Sequence, residues 1–443
     1  DQLTRMPALA SDLRKTLENT VVKARDLAER GARDALTALA VGASEPFASM
    51  SEEERKLRNR LRARGRQLGD QRDAQKGTQS IERLVREMAY EHWHRMLFAR
   101  FLAENQLLIE PTSGVAISLD ECEELAAEEG ADLWGLAAQY AQAMLPQIFR
   151  IDDPVLAAKL PLEIRQQLQG LVEGLEEEVF TASDSLGWVY QFWQALEKDR
   201  VNQSETKIGA DELPAVTQLF TEPYMVDFLL HNSLGAWWVT RHPDKPSPVE
   251  LSYLRTLEDG TPAAGTFEGW PNTLKEFTLL DPCCGSGHFL VAAFLLLVPM
   301  RMASEGLSAR DAVDAVLAEN LHGLELDARC IEIAVFALAL AAWRFPGENG
   351  KALGVRKAMP TPQVACCGLK LSSTTEQWQA LVPTDGADCD RVRAGLAQMH
   401  HAFSQAPLLG SLLHPSRAGE ANLLAAGSDE LAQFLSQALS EKR

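Results

Sequence analysis

The sequence lacks the marks of several large protein classes. Its seven cysteines are odd in number and form no C-x-x-C pair, which argues against a disulfide framework or a zinc ribbon and for a reducing, cytoplasmic setting. Its most apolar runs, Phe289–Met300 and Ile331–Trp343, are too short to span a bilayer, so we expect core helices and no membrane partner. No secretory signal opens the chain and no methionine precedes Asp1, so we expect a trimmed version of a longer polypeptide.

Basic residues are scarce as well. Lys and Arg number 43 against 62 Asp and Glu, and the net charge is -19, so the chain does not attract nucleic acid by its overall charge. A local exception lies between residues 55 and 76, where nine basic residues stand against two aspartates. Arginine suits bidentate phosphate contacts, and each neutralised phosphate releases counterions. We therefore predict that Arg58, Arg60, Arg62, Arg64 and Arg66 contact phosphates of a nucleic acid; the alternative is a solvated helix face.

The pattern of apolar residues divides the chain into two regions. Residues 1–205 predict an α-helical N-terminal domain, with helical periodicity over Ser11–Leu39, Ser80–Leu108, Ser118–Leu145, Leu160–Val179 and Ser183–Glu197. A polar linker is expected at Lys198–Asp211. In residues 206–443 strand-like runs (Phe277–Leu280, Leu321–Leu326, Val364–Cys367) alternate with helical runs (Phe289–Ala303, Ser308–Asn320, Ala328–Phe345). This alternation predicts a parallel, doubly wound α/β sheet, and residues 416–443 predict a final helix.

The first of these strands leads into a glycine-rich turn. The apolar run Phe277–Leu280 stops at Asp281-Pro282, two glycines follow at Gly285 and Gly287, and a long apolar helix begins. Glycines allow a sharp turn and a close approach of the backbone to a ligand. The helix N-terminus that follows offers unpaired N–H groups to an anionic part of that ligand. A strand, a tight turn and a helix in this order are typical of a nucleotide-type cofactor site.

The second strand ends in acidic residues. Leu321–Asp327 reads Leu-His-Gly-Leu-Glu-Leu-Asp, about 40 residues after the first strand. In a βαβ unit, an acid at the end of the second strand reaches the ribose hydroxyls of an adenosine-type ligand. We assign that role to Glu325 and place Leu326 beside the adenine ring. A dehydrogenase of the Rossmann type is the alternative interpretation, but the turn does not have the G-x-G-x-x-G pattern of such enzymes.

These motifs resemble those of N6-adenine DNA methyltransferases that use S-adenosylmethionine. The turn Asp281-Pro282-Cys283-Cys284-Gly285-Ser286-Gly287-His288-Phe289 is similar to the cofactor motif of that family, which implies that Asp281, Pro282, Cys284, Gly285, Gly287 and Phe289 contact the cofactor. Gln218-Leu219-Phe220-Thr221-Glu222-Pro223 resembles the segment that closes over the methionine end, through Phe220, Thr221 and Pro223. Glu222 departs from the pattern, because the family joins Thr directly to Pro.

A further segment departs more strongly from the family. Val364–Leu369 occupies the place of a strand that ends in Cys-Gly-Asp, whose acid holds the adenine amino group, but here Gly368 and Leu369 follow the cysteines. The resemblance therefore implies either backbone contacts from Gly368 and Leu369 or a lower affinity for the cofactor. The order of the motifs is that of the gamma group of amino-methyltransferases, and the fold implied is an incomplete Rossmann-like methyltransferase domain.

The resemblance extends to the helical region. Glu87–Phe101 and Leu186–Trp193 look like helices of large single-chain methylases of the BREX and DISARM phage-defence systems, akin to type IIG restriction–modification enzymes. The motifs do not separate the two systems, although the DISARM type is slightly closer. The resemblance implies a methylase of host double-stranded DNA, which the arginines between residues 58 and 66 would contact, with other proteins of the same system as partners.

The catalytic motif of that family is absent. Its members carry Asn-Pro-Pro-Tyr or a close variant after the fourth strand, and no Pro-Pro pair occurs in this sequence. That motif accepts both hydrogens of the poorly nucleophilic adenine amine while the aromatic ring stacks on a flipped-out base. We therefore leave the catalytic residues unassigned and expect the catalytic loop beyond residue 443. The chain is expected to bind cofactor without transferring a methyl group.

Other candidate sites have structural explanations. His92 and His94 lie two residues apart on a helix, so they face different sides and cannot chelate one metal; we predict no metal site. We expect Cys283 and Cys284 to be small buried residues and not nucleophiles. Two rival functions stay open: a non-catalytic cofactor-binding or assembly subunit, and a methyltransferase that acts on RNA or protein.

Overall fold

The chain is mostly helical and carries a small parallel sheet. The structure, a computed structural model, describes residues 7–146, 148–149, 153–203, 216, 221–356, 359–367, 371, 373–384, 386, 388–409, 412–414 and 425–440. The helices before residue 204 are α1 (Ser11–Ala38), α2 (Glu52–Leu68), α3 (Glu82–Glu104), α4 (Leu119–Glu129), α5 (Leu133–Met144), α6 (Pro154–Ala157), α7 (Leu162–Glu173), α8 (Glu177–Thr181) and α9 (Ser185–Gln203).

Local sequence signals fix several of these helix ends. Ser51 and Glu54 form a capping box at the start of α2, with Ser51 Oγ 3.2 Å from Glu54 N and Glu54 Oε2 2.8 Å from Ser51 N. Gly130 ends α4 in the left-handed conformation, at φ 65°. The helical periodicity predicted over Ser118–Leu145 is therefore divided between two helices, α4 and α5.

Helix α3 is the centre of the first hydrophobic cluster. Fifteen of its 23 residues are buried, because α1, α2, α5, α6, α7 and α8 pack around it. The ring of Phe98 stacks on Phe336 from the second half of the chain, with centroids 4.6 Å apart. The helical region thus shares its core with a helix that follows the glycine turn, and the division predicted at residue 205 stays a prediction.

The second half contains the sheet. Its elements are α10 (Pro223–Leu230), a π-helical turn (His231–Gly235), α11 (Ala236–Arg241), β1 (Leu279–Asp281), α12 (His288–Glu305), α13 (Ala309–Ala315), a second π-helical turn (Val316–Asn320), β2 (Leu321–Glu325), α14 (Ala328–Arg344), β3 (Gln363–Cys366), α15 (Thr375–Gln379), α16 (Cys389–Ser404), α17 (Ala406–Leu409) and α18 (Ser428–Ser440). The strands are parallel in the order β1-β2-β3. Leu279 pairs with Leu321 and Glu325 with Cys366, which brings the carboxyl ends of β1 and β2 to one edge of the sheet.

Most elements predicted from periodicity are confirmed, including the three strands, their parallel direction and the helices between them. The linker predicted at Lys198–Asp211 is wrong for residues 198–203, which continue α9, and the rest of it lies outside the described residues. The helix predicted over Ser308–Asn320 ends in a π-helical turn. Asn320 closes that turn, with its side-chain nitrogen 2.7 Å from Leu274 O and 2.6 Å from Phe277 O.

Helices α12 and α14 cover the sheet. Among the described residues, α12 is one helix that is long and apolar enough to cross a membrane by length and composition, but ten of its residues are buried, eight of them in the second hydrophobic cluster. Helix α14 serves both clusters, since Phe336 packs towards α3 while Ala334 and Leu338 pack towards α12. A third, small cluster joins Val382, Leu396 and Leu431 near the C-terminal helices.

Candidate cofactor site

The glycine turn is built by bonds to the two strands beside it. Asp281 ends β1, and its Oδ1 accepts a hydrogen bond from Cys283 N at 3.1 Å. Cys284 N donates to Leu324 O of β2 at 3.0 Å, and Gly287 N donates to Cys284 O at 2.8 Å. The turn is therefore closed on itself and attached to the end of the sheet before α12 begins.

The two glycines of this turn do different work. Both have positive φ, 52° at Gly285 and 82° at Gly287, where a side chain causes strain. A Cβ at Gly287 would lie 2.9 Å from both Cα and Cβ of Ala334, so this glycine allows α12 and α14 to pack closely. A Cβ at Gly285 would meet nothing within 4 Å. Gly285 thus presents bare backbone to open space, as a close-binding ligand requires.

Glu325 connects the end of β2 to the turn. Its side chain is 7% exposed, and its Oε2 accepts a hydrogen bond from Gly285 N at 2.9 Å. Its Oε1 accepts from Leu326 N at 2.7 Å and from Asp327 N at 3.2 Å. Three backbone N–H groups therefore orient this carboxylate before any ligand binds.

The structure brings the predicted residues of the two strand ends together, at the same edge of the sheet. Pro282 is exposed and Leu326 half-buried, while Phe289 lies in the first turn of α12 and packs against the second cluster. Burial raises the pKa of Asp281. Two acids beside one turn make this a site of negative charge.

The environment of the turn cysteines does not favour a nucleophilic role. Cys284 is buried as predicted, but Cys283 is exposed, so the expectation of burial is wrong for Cys283, whose side chain leaves the turn on the solvent side. Desolvation and the charges of Glu325 and Asp281 raise the pKa of the Cys283 thiol, and desolvation raises the pKa of Cys284 further. Both thiols are therefore protonated at neutral pH and poorly reactive.

The Thr-Pro segment leads into α10. Pro223 occupies the first turn of that helix, as its fixed φ favours, and Thr221 lies just before it. Val226 and Leu230 join the second cluster, where α10 packs against α12. Phe220 lies outside the described residues.

The segment after β3 is described only at its start. Cys367 N donates to Glu325 O at 2.9 Å, which attaches this segment to the end of β2. Gly368 and Leu369 lie outside the described residues, so their predicted contacts with the cofactor stay predictions.

Sequence reasoning missed a buried polar network beside Glu325. Asp327 caps α14, and its Oδ2 accepts hydrogen bonds from Tyr190 OH at 2.5 Å and from Arg329 Nη2 at 2.7 Å. Tyr190 belongs to α9 of the helical region, where the aromatic residues around it in the sequence favour a place in the core. An aspartate directly before an apolar helix is the one available signal, and it could indicate the cap but not the tyrosine that the cap binds.

The basic helix α2 directs two of its arginines inward. Arg58 Nε donates to Ala40 O at 2.9 Å, and Arg62 donates to Val41 O at 2.8 Å and to Gly77 O at 2.8 Å. Both side chains are buried, at 5% and 6% exposure, so they hold loops of the protein itself and are not placed to meet phosphates.

The other three predicted DNA contacts lie nearer the surface. Arg64 pairs with Glu87 at 2.8 Å, and Arg66, which is exposed, donates to Gln79 Oε1 at 3.1 Å. Arg60 is exposed. DNA contact through these residues stays a prediction.

The two histidines of α3 are structural within the described residues. His92 Nε2 lies 2.9 Å from Val155 O and 3.1 Å from Ala158 O, and His94 Nδ1 lies 3.1 Å from Tyr90 O. Burial lowers the pKa of His92 to about 4 and that of His94 to about 3. No group of three potential metal ligands occurs in the part of the chain that the structure describes.

Comparison with known proteins agrees with this site. Residues 261–410, which contain β1, the glycine turn, β2 and β3, match the DNA-methyltransferase domain family of MmeI. The chain is 30% identical over 307 residues to the adenine-specific methyltransferase BrxX of Escherichia coli O9:H4 (strain HS), covering 63% of this chain and 25% of that protein. It is 26% identical over 382 residues to the adenine-specific methyltransferase PglX of Lacticaseibacillus casei (strain Zhang), covering 74% and 30%.

A third relative is matched over a shorter stretch, the PglX protein of Streptomyces coelicolor, at 36% identity over 75 residues. The chain spans about a quarter to a third of the length of the first two relatives it matches. The predicted resemblance is confirmed: residues 261–410 match the DNA-methyltransferase domain of MmeI, and the chain is similar to the adenine-specific methyltransferases BrxX and PglX.

Proposed function

We propose that this chain forms the helical region and the cofactor-binding half of a site-specific DNA adenine-N6 methyltransferase that uses S-adenosylmethionine. In this proposal the sheet is part of a Rossmann-like methyltransferase domain. The observation that carries it is the pairing of Gly285, whose Cβ side is open, with Glu325, whose carboxylate is fixed beside it. Both lie in the segment that matches a DNA-methyltransferase domain.

The chemistry of these residues fits the cofactor. The ribose hydroxyls of S-adenosylmethionine can donate hydrogen bonds to a carboxylate, and the methionine end of the molecule is cationic. When bound, the cofactor supplies an electrophilic methyl group. Glu325 would hold the ribose, Leu326 would lie against the adenine, and the Gly285 backbone would allow close approach. Asp281, Thr221 and Pro223 would face the methionine end. Phe220, Gly368 and Leu369 belong to the same proposed site.

The proposed substrate is double-stranded DNA with the target adenine flipped out of the stack. Arg60 and Arg66, the exposed arginines of α2, are the groups best placed to contact phosphates. The net charge of -19 makes such a local surface necessary, since the remainder of the chain repels DNA.

The proposed biological role is marking host DNA in a cytoplasmic phage-defence or restriction–modification system, with other proteins of that system as partners. The relatives BrxX and PglX favour a BREX system over the DISARM type.

A second candidate is a non-catalytic cofactor-binding or assembly subunit, which the absence of any Pro-Pro pair favours. Both candidates predict that this chain binds cofactor without transferring a methyl group. They differ in cells that express the encoding gene, where only the methyltransferase adds N6-methyladenine to the genome.

Calorimetric titration of the chain with S-adenosylmethionine tests the proposal. We expect saturable binding that Glu325→Gln weakens by more than about tenfold, roughly 1.4 kcal/mol, because the variant keeps the shape of the side chain but loses its charge. Glu128→Gln, an exposed glutamate on α4, is the matched control and should bind like the parent chain. Absence of saturable binding at millimolar cofactor, or equal weakening by both variants, contradicts the proposal.

A further inference from the structure

The buried network around Asp327 joins the helical region to the cofactor site. Asp327 is 8% exposed and lies two residues after Glu325. Tyr190 OH donates to its Oδ2 at 2.5 Å, and Gln194 Nε2 donates to Tyr190 OH at 2.7 Å. Both partners lie on α9, 137 and 133 residues away in sequence from Asp327. The strand end that carries Glu325 is therefore bonded to a helix of the other region.

The charge of Asp327 is balanced locally. Arg329 donates to it through Nε at 2.9 Å and Nη2 at 2.7 Å, and Tyr90 OH of α3 donates to Arg329 O at 3.1 Å. Burial disfavours the ionised carboxylate, but the charge and hydrogen bonds of Arg329 and the bond from Tyr190 outweigh burial and hold the pKa of Asp327 below its usual range. Tyr190 therefore donates to a carboxylate, and a charge-assisted bond of this kind is a strong one.

A short series of bonds leads from Asp327 to the glycine turn. Asp327 N and Leu326 N both donate to Glu325 Oε1, and Glu325 Oε2 accepts from Gly285 N. A shift of the Asp327 backbone therefore removes a donor from the Glu325 carboxylate. The orientation of that carboxylate depends in turn on residues of α9.

We propose that Tyr190 is a positioning residue for the cofactor: by holding Asp327 it fixes the Glu325–Asp327 turn, so that the helical region sets the affinity of the cofactor site. This inference rests on the proposed function, since it names S-adenosylmethionine as the ligand whose binding changes. Tyr190 does not itself touch that ligand.

The test uses Tyr190→Phe, which removes the hydroxyl and keeps the ring in the core. Tyr140→Phe is the matched control, because Tyr140 is a buried tyrosine of α5, a helix of the same region that packs on α3 and α4. In calorimetric titration we expect Tyr190→Phe to bind S-adenosylmethionine about fivefold more weakly and Tyr140→Phe to bind it like the parent. Gln194→Leu keeps Tyr190 but removes the hydrogen bond that Gln194 donates to its hydroxyl. This variant should also bind S-adenosylmethionine more weakly than the parent, but by a smaller factor than Tyr190→Phe.

Hydrogen exchange of the cofactor-free chain distinguishes a local loosening of the turn from a general loss of core packing. Exchange at the amides of Gly285, Leu326 and Asp327 should accelerate in Tyr190→Phe, while exchange in α2 stays unchanged. The double variant Tyr190→Phe/Glu325→Gln should bind no more weakly than Glu325→Gln alone, because Tyr190 acts through Glu325.

Each outcome is decisive. Unchanged exchange at these amides, or additive losses in the double variant, would overturn the positioning role. A parent chain that fails to bind cofactor would refute the proposed function, and the exchange comparison would still decide whether Tyr190 holds the turn. Uniformly faster exchange across the helical region in Tyr190→Phe but not in Gln194→Leu would mean a structural role only.

Discussion

The two glycines of the turn allow stability to be separated from cofactor binding. Both have positive φ, but a methyl group added at Gly287 meets the backbone of Ala334, whereas one added at Gly285 enters open space. Alanine at each position is the smallest perturbation that tests this difference. We expect Gly287→Ala to lose stability mainly, and Gly285→Ala to lose cofactor affinity mainly.

The magnitude for Gly287→Ala follows from two terms. An L-residue in the left-handed region costs about 1–2 kcal/mol. The new Cβ lies 2.9 Å from Cα and Cβ of Ala334, a contact that forces α12 and α14 apart, and such overpacking costs about 1–3 kcal/mol. The sum is roughly 2–5 kcal/mol, a large part of the roughly 5–15 kcal/mol by which a domain is stable.

Gly285→Ala carries only the cost of placing a side chain in the left-handed region, without the packing cost. Its expected loss of stability is about 1–2 kcal/mol, since no atom lies within 4 Å of the added methyl group. The methyl group would, however, stand where the proposed cofactor approaches the backbone. We expect the affinity for S-adenosylmethionine to fall by at least tenfold, about 1.4 kcal/mol.

Urea unfolding and calorimetric titration measure the two effects separately. Gly306→Ala is the matched control, because Gly306 ends α12 at φ 69° with open space around its Cβ position. It should lose as much stability as Gly285→Ala and bind cofactor like the parent. If Gly287→Ala is as stable as Gly306→Ala, the packing explanation is wrong; if Gly285→Ala binds like the parent, the cofactor does not approach this turn.

Two further predictions concern charged groups. Arg62→Ala should lower the free energy of unfolding by about 2–4 kcal/mol, because it leaves the carbonyls of two loops without their donor. Arg60→Ala should change that free energy by less than about 0.5 kcal/mol but reduce the salt dependence of duplex DNA binding, measured by anisotropy between 50 and 200 mM salt. A stable Arg62→Ala together with a destabilised Arg60→Ala whose salt dependence is unchanged would refute both assignments. Burial lowers the pKa of His92 to about 4 from 6.5, so the unfolded chain binds more protons between these values and stability falls as pH falls through this window. From pH 7 to pH 5 the parent should therefore lose about 2 kcal/mol more than His92→Gln in urea unfolding, and equal losses would show that His92 is not held neutral.

The sequence predicted the strands and helices of the cofactor half because their signals are local. An apolar run, an Asp-Pro stop and two glycines suffice to place β1, the turn and α12 within two residues. The acid at the end of β2 follows from the same logic, since parallel strands end at one edge of the sheet. Its proximity to the turn is confirmed by the bond between Glu325 and Gly285 N.

The features that sequence reasoning missed depend on contacts between distant parts of the chain. In the sequence, Arg58 and Arg62 belong to a basic run that is typical of an exposed surface. In the structure both side chains are buried, because they donate hydrogen bonds to carbonyl groups of the loop after α1. Tyr190 reads as a core aromatic, and nothing within α9 reveals that its hydroxyl meets a carboxylate 137 residues away. Periodicity tells which face of a helix is apolar, but not which buried polar group lies opposite.

Helix α14 packs on both regions of the chain even though their sequence patterns differ. Its N-terminal cap is Asp327, which α9 holds, while Phe336 stacks on Phe98 of α3. Its other face, at Ala334, supports α12 directly behind Gly287. Separating the chain near residue 205 would expose the face of α14 that carries Phe336 and would also remove the hydrogen bond from Tyr190 to Asp327. The glycine turn packs against α14 at Ala334, and Glu325 ends the strand that leads into α14. If the proposed cofactor binds at this turn, we expect the helical region to affect the geometry of its site through α14.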